Sequence, residues 1–369
     1  MKSVLVVIIS IFLFLGCAQT QRNIGYSSQV ASKKSIEKKI DIIIEKKEES
    51  FSEDDKISND FKKSDSVAIV FSSSQIGKYA LEVTASINTY LLYKNNNFMV
   101  ETYDIDKQDE NNLVKIFEEI DKNGIKKVIL MITSNRLSQL KEIKSIAGLQ
   151  IYLPLINSYD SELTFNTTNL ELIYGGISYK KQFEKLLQYN NERPLVNFYD
   201  NSKIGSVLHS YLNNQEINYS KKIDDKNGLY KYFLKNRKVK NSVIILNTPI
   251  VKSSIILSQI YALEVNTKQI LSTQLNYSPF LFSLTQRPDR RNIIIANSIG
   301  KLPNDLIEYN SLINNNIVYS WVNYSVILGV EYFLSGNLNK FEGVSIKNNQ
   351  VDYSVELYRA NGDSFVKIN

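Results

Sequence analysis

Val67-Ala68-Ile69-Val70-Phe71-Ser72-Ser73-Ser74-Gln75-Ile76-Gly77-Lys78-Tyr79-Ala80 decides the fold reading. Its first five residues form an unbroken apolar run, the mark of a strand buried on both faces in a parallel sheet. Three serines follow, and Gln75 opens a helix. Along that helix Leu81, Ala85, Asn88, Leu91 and Leu92 recur at near-helical spacing, with Ile87 beside them. Residues 98–103 read as the next strand. Strand, polar turn, helix, strand over 66–106 is the first unit of an open α/β sheet, which binds ligands outside the carboxyl ends of its strands.

The same alternation continues toward the C-terminus. A helix over 110–123 carries Leu113, Ile116, Phe117 and Ile120 and closes at Asn123-Gly124, glycine being the common residue just past a helix. Residues 127–133 form a second buried-type strand. Thr133-Ser134-Asn135 then leads into a helix to about 147. Strands follow at 150–156 and 170–177, and a second series begins with a helix at 178–189. Its strands are 194–199, 217–223, 242–247, 269–275 and 292–297. Its helices run to 212, over 227–235, and from Pro249 to about 264. Helices at 302–314 and 320–334 come next. The tail alternates over 343–346, 352–359 and 364–368, with turns at Asn348-Asn349 and Asn361-Gly362-Asp363, so it reads as antiparallel strands. The expected architecture is α/β, two lobes of mostly parallel sheet flanked by helices. Lobe one spans about 66–177 plus returning C-terminal elements, and lobe two about 178–300.

Upstream of residue 66 the chain changes character. Lys2 precedes an apolar stretch over 4–15, too short for a membrane span and suited to a signal peptide. Leu13-Phe14-Leu15-Gly16-Cys17 resembles a bacterial lipobox. That resemblance implies a signal peptide over 1–16 and a lipid anchor on Cys17. Ala18-Gln19 lacks an inner-membrane retention Asp, which points to the outer membrane, facing the periplasm. As the single cysteine, Cys17 cannot form an internal disulfide. Residues 17–65 read as a charged tether, dense in Lys, Glu and Asp from 33 onward, with too little apolar surface to offset ordering entropy. Ile36, Ile40, Ile43 and Ile44 share one helical face within it. Fully extended, residues 18–65 would reach roughly 150 Å at about 3.3 Å each.

Composition narrows function. The chain has 369 residues, 43% hydrophobic and 22% charged, with net charge +6. It carries no basic, aromatic-interleaved block, which argues against nucleic-acid binding. One His and one Cys cannot build a zinc site between them. A Gly-x-Ser-x-Gly elbow, a Walker loop and a Gly-x-Gly-x-x-Gly are all absent from the sequence, and His209 reads as a solvated helix residue. The expectation is binding rather than catalysis, with no cofactor or metal. Ser72, Ser73 and Ser74 after one strand, and Thr133, Ser134 and Asn135 after another, offer short donors to a carboxylate of a small polar ligand. Asp200 is the candidate partner for an ammonium group. All of these residue types also cap helices, so both roles stay open. Arg287-Pro288-Asp289-Arg290-Arg291 reads as a solvated loop or a contact for an acidic partner. Trp321, with Tyr319 and Tyr324, reads as core packing.

Three stretches resemble the type I periplasmic-binding-protein family: Val67 to Ser74 with Gly77 and Ala80; Phe198-Tyr199-Asp200-Asn201-Ser202-Lys203-Ile204-Gly205-Ser206; and Asn361-Gly362-Asp363-Ser364-Phe365-Val366. A further stretch is similar to the C-terminal domain of the LpoA lipoproteins. It comprises Ile244-Ile245-Leu246-Asn247-Thr248-Pro249, then Gln269-Ile270-Leu271-Ser272-Thr273-Gln274-Leu275-Asn276-Tyr277-Ser278-Pro279, then Asp289-Arg290. The LpoA resemblance implies a non-catalytic envelope lipoprotein that activates a penicillin-binding protein and so regulates peptidoglycan synthesis. The wider family implies the alternative, a receptor for an amino acid or similar solute. The lipobox reading predicts that labelled palmitate is incorporated into the wild-type chain and lost in Cys17→Ser; equal labelling of the two would end it.

Overall fold

The computed structural model describes residues 66–77, 79–107, 112–160, 170–224 and 230–368. The signal-peptide, Cys17 and tether readings over 1–65 lie outside the described residues. In chain order the elements are β1 (Ser66–Phe71), α1 (Ser73–Ile76), α2 (Tyr79–Tyr93), β2 (Met99–Asp104), α3 (Asn112–Lys122), β3 (Lys127–Met131), β4 (Gln150–Leu153), β5 (Glu171–Tyr174) and α4 (Tyr179–Leu187). Next come β6 (Leu195–Asp200), α5 (Lys203–Ser210), β7 (Ile217–Ile223), α6 (Tyr230–Leu234), β8 (Val243–Asn247), α7 (Ile250–Ala262), β9 (Gln269–Ser272), α8 (Phe280–Leu284) and β10 (Ile293–Asn297). Last are α9 (Asn304–Leu312), α10 (Trp321–Ser335), β11 (Val344–Lys347), β12 (Gln350–Tyr353), β13 (Glu356–Asn361) and β14 (Ser364–Lys367).

Two seven-stranded sheets result, ordered β11-β12-β5-β4-β3-β1-β2 and β14-β13-β10-β9-β8-β6-β7. The first five strands of each lobe are parallel. Each follows the doubly wound order 2-1-3-4-5, with its switch point between the first and third strands. The strands expected from apolar runs are buried accordingly: Val67 to Val70, Val128 to Met131 and all of β8 and β10 have almost no solvent contact.

The tail completes both lobes. β12 lies parallel to β5 in the first sheet, and β13 runs antiparallel to β10 in the second. The single strand expected over 352–359 is therefore two, divided at Ser354-Val355 where the chain passes from one lobe to the other. Asn348 and Asn349 both take positive φ, 50° and 60°, as the tight β11–β12 turn demands.

The helix expected over 134–147 is instead 3₁₀, over Ser134–Glu142 and Lys144–Ile146. The reason is legible: Leu137, Leu140, Ile143 and Ile146, all buried, recur every third residue. A period of 3.0 suits the 3₁₀ helix, whose side chains at i and i+3 eclipse.

α10 seats on the first sheet through one ring. Tyr152 of β4 is fully buried, and it fills the space left by two glycines. A Cβ on Gly329 would lie 2.5 Å from the ring, and one on Gly175 would lie 2.4 Å from it. Ser325, one turn before Gly329, donates to Gly175 O at 2.8 Å and lies 3.2 Å from the Tyr152 hydroxyl. Trp321 and Tyr324 pack with this core, whereas the Tyr319 ring makes tilted contacts with Tyr277 and Phe365 of lobe two. Among the described residues no helix is long and apolar enough to cross a membrane.

Gly329→Ala should destabilise the protein by about 1–3 kcal/mol through overpacking. Helix propensity alone predicts a gain of about 0.5–1 kcal/mol, so the sign in urea unfolding separates the two.

Candidate functional site

In an open α/β sheet the crevice lies past the strands' carboxyl ends, at the switch point. In lobe one that is the space after β1 and β3, where the serine turn and Thr133 to Asn135 both sit. The structure brings these two groups together: Thr133 Oγ1 donates to Gln75 Oε1 at 3.2 Å, and Thr133 also bonds Asn135. Ser72 and Thr133 each precede a helical segment without capping it through the side chain.

The turn donors are engaged by the chain itself. Ser72 Oγ donates to Asp106 Oδ2 at 2.6 Å, and the Ser74 N–H donates to the same oxygen at 2.8 Å. Ser74 Oγ lies 3.2 Å from Ser72 Oγ. Asp104 Oδ1 accepts from the Ser73 and Asp106 N–H groups, both at 3.1 Å. Arg136, one residue past Asn135, pairs with Asp106 Oδ1 at 3.3 Å. A carboxylate thus stands at the serine turn, and it belongs to residue 106. Burial alone would raise the Asp106 carboxyl, but the Ser72 hydroxyl, the Ser74 donors and Arg136 outweigh it and hold it at about 2. Asp104, Asp106 and Arg136 were not among the expected site residues. Their placement follows from the parallel β1–β2 and β1–β3 registers, in which Phe71 faces Asp104 on one side and Met131 on the other, and spacing along the chain does not contain it.

The matching point of lobe two lies after β6 and β8. Asp200 is almost fully buried there. Its Oδ1 accepts from the Ser202 N–H at 3.1 Å and from the Ser202 hydroxyl, and its Oδ2 pairs with Lys252 Nζ at 2.7 Å. Burial raises its carboxyl, yet Lys252 and Ser202 together hold it below the ordinary value. Ser202 in turn caps α5 through the Gly205 N–H at 3.0 Å. A Cβ on Gly205 would meet Asp200 Oδ1 at 2.4 Å, so this glycine permits the close approach. His209 lies on α5 as expected but is half-buried there rather than fully solvated. It stacks on Tyr199 with ring centroids 4.0 Å apart, and its Nδ1 lies 2.8 Å from Asn197 Nδ2.

The residues similar to LpoA are mostly internal. Asn247 donates to Asn197 at 3.0 Å, and Asn276 donates to Thr248 O at 3.1 Å and to Ser272 Oγ at 2.7 Å. Asp289 accepts from Ser258 at 2.6 Å and from the Gln286 N–H at 2.9 Å. Arg290 donates to Thr285 O at 2.6 Å and to Gly362 O at 2.7 Å. The Asp-Arg pair therefore staples the loop before β10 to α7 and to the β13–β14 turn.

Asp106→Asn should cost about 1–2 kcal/mol at neutral pH, since hydrogen bonds to a charged group are the stronger kind. The native carboxyl is depressed from about 3.9 to about 2. Its contribution is therefore complete above about pH 5 and lost as pH falls toward 2. The wild-type-minus-variant difference in unfolding free energy, measured from pH 7 down to pH 2, should shrink across that window.

No family model matches the sequence, and no curated protein matches it. Solved structures do. LpoA from Haemophilus influenzae superposes with a TM-score of 0.57 at 12% identity, over 83% of this chain and 58% of that one. The chain thus spans well under two thirds of full-length LpoA. The LpoA C-domain from the same organism, described as a regulator of PBP1A, gives 0.55 at 10% identity, over 82% of this chain and 100% of that one. A branched-chain amino acid ABC transporter protein from Thermus thermophilus with bound valine gives 0.57 at 15% identity, over 82% and 95%. These neighbours are binding proteins and a regulator. Identities this low speak to the fold alone, and on that the sheets and the superpositions agree: this chain has the two-lobed type I periplasmic-binding-protein-like α/β fold.

Proposed function

We propose that this chain is a non-catalytic lipoprotein of the cell envelope whose two-lobed domain binds and regulates a protein partner, a cell-wall synthase of the penicillin-binding-protein type, as LpoA does. The observation that carries this reading is Asp106 at the serine turn. An amino-acid receptor needs the donors there for its ligand's carboxylate. In this chain the Ser72 hydroxyl and the Ser74 N–H already serve an internal carboxylate. Asp104 and Asp106 stand against the single guanidinium of Arg136 among the groups bonded at the turn, and this balance repels a second anion. The lipobox at Cys17 and the long charged tether support the same reading. In it, Cys17 carries the anchor in the outer membrane and residues 18–65 give the domain reach into the periplasm.

Two measurements on the full chain test it. A ligand at a hundred times its dissociation constant stabilises by about 2.7 kcal/mol, so thermal melting against the twenty amino acids should show no shift of several degrees. Crosslinking in native envelopes should recover a penicillin-binding protein. A clear amino-acid shift together with no such crosslink would replace this reading with a solute receptor.

A further inference from the structure

The pole of lobe two opposite the switch point carries a groove of about 650 Å³. Its position follows from strand direction. Arg287, Arg290 and Arg291 precede β10, and Arg359 of β13 pairs with Ile294 near the amino end of β10. The crevice turns lie past the other end. Lys367 and Val366 of β14 complete its wall.

The charge in this groove is unbalanced. Asp363 pairs with Arg287 and Arg290 at 3.5 and 3.4 Å, and Glu356 pairs with Lys367 at 3.2 Å and Lys185 at 3.9 Å. None of the ion pairs among the described residues involves Arg291 or Arg359, both exposed. Arg290 is only 3% exposed, and its Nε has no hydrogen-bond partner. A buried guanidinium N–H without an acceptor is costly unless something supplies one.

Two features favour a peptide over a simple anion. Val366 is 46% exposed beside the cations, so the wall is both basic and apolar. β14 is also the free edge of its sheet. The Ile368 N–H turns inward to Leu357 O at 2.8 Å, so strand alternation leaves the backbone groups of Phe365 and Lys367 on the open edge. An extended peptide can add to such an edge.

We propose that this groove docks an acidic, extended segment of the partner protein, its carboxylates held by Arg291 and Arg359 and its backbone laid along β14. Guanidinium groups bind carboxylates in a bidentate geometry that a lysine cannot reproduce. The proposal rests on the interaction-module reading and gives it a surface.

The test is fluorescence anisotropy of the full chain with a labelled heptapeptide of alternating Glu and Val, and with its Gln-Val counterpart. The wild type should bind the Glu peptide at least tenfold more tightly than the Gln peptide, and added salt should weaken that binding. The double charge reversal R291E/R359E alters two exposed side chains; with its melting temperature checked, it should bind at least tenfold more weakly. Equal binding by wild type and variant would overturn the proposal, as would displacement of the peptide by equimolar tripolyphosphate, which would mark a simple anion site. The arms also separate this idea from its premise. Peptide binding lost in the variant while the synthase still crosslinks with wild-type yield moves the contact elsewhere. Peptide binding by a wild type that crosslinks no synthase keeps the groove and removes that partner.

Discussion

Three passages of backbone between the lobes, and the polar side chains buried where they meet, hold this architecture. The chain crosses after β5, after β10, and between β12 and β13. Gln182 of α4 donates to Ser298 Oγ at 2.8 Å, and its Oε1 accepts from the Gln274 N–H at 2.8 Å. Gln274 returns with its own side chain, accepting from the Ser298 N–H at 2.6 Å and donating to Asn297 at 2.8 Å. Two crossings and the end of β9 are thereby fixed to one another by bonds that all lie out of water. Such a network stabilises when every member is satisfied and is costly when one is missing. The third crossing is held differently: Ser158 N–H donates to Gln350 Oε1 at 2.7 Å, and Tyr353 donates to Gly175 O. Motion between the lobes is thus confined to whatever these joints allow. Because β12 and β13 close sheets begun far upstream, at β1 and β6, neither lobe is complete until the end of the chain is in place.

With the crevice framed in that way, its chemistry is set by which donors remain open. A strand's carboxyl end followed by serines is a ready anion site, and the chain meets that demand internally. The carboxylate at residue 106 is anchored by the parallel neighbour β2, so it needs no outside ion and loses no translational entropy in binding. Its depressed pKa expresses the same fact, because the donors around it favour the charged form. In lobe two Asp200 is likewise occupied, by Lys252 and by the serine that caps α5.

Much of the fold could be read from local pattern. Apolar runs such as Val67 to Phe71 and Ile244 to Asn247 announce parallel strands, and the change to alternation near 343 announces the antiparallel tail. Two departures from the expected elements are local as well. The threefold spacing of Leu137, Leu140, Ile143 and Ile146 is itself a 3₁₀ signal, and the break at Ser354-Val355 falls within an otherwise regular alternation. The site was harder. Ser72 and Ser74 do converge, but on Asp106, which Arg136 also pairs, while Thr133 bonds Gln75; strand register brings Asp106 and Arg136 to the serine turn. Register between non-adjacent segments is a tertiary property, so a reading of residue types at the turns finds the donors and misses the acceptor already in place.

A fold shared by solute receptors and by LpoA cannot itself choose between them, and the likeness of individual residues must be weighed by what those residues touch. Asp289 and Arg290 look like a functional signature in the sequence. In the structure Asp289 bonds Ser258 and Gln286, and Arg290 bonds Thr285 and Gly362 while lying 5.1 Å from the Phe282 ring. Any chain that must secure this loop to the closing hairpin has reason to keep them, whatever it binds. The same applies to Asn247 and Asn276, whose amides tie β6, β8 and β9 together from within. Partner recognition must therefore rest on side chains that the fold can do without. Next to the Asp-Arg staple stands Arg291, exposed and outside every ion pair among the described residues, with Arg359 across the groove in the same condition. Packing explains their buried neighbours and leaves these two for the surface to use.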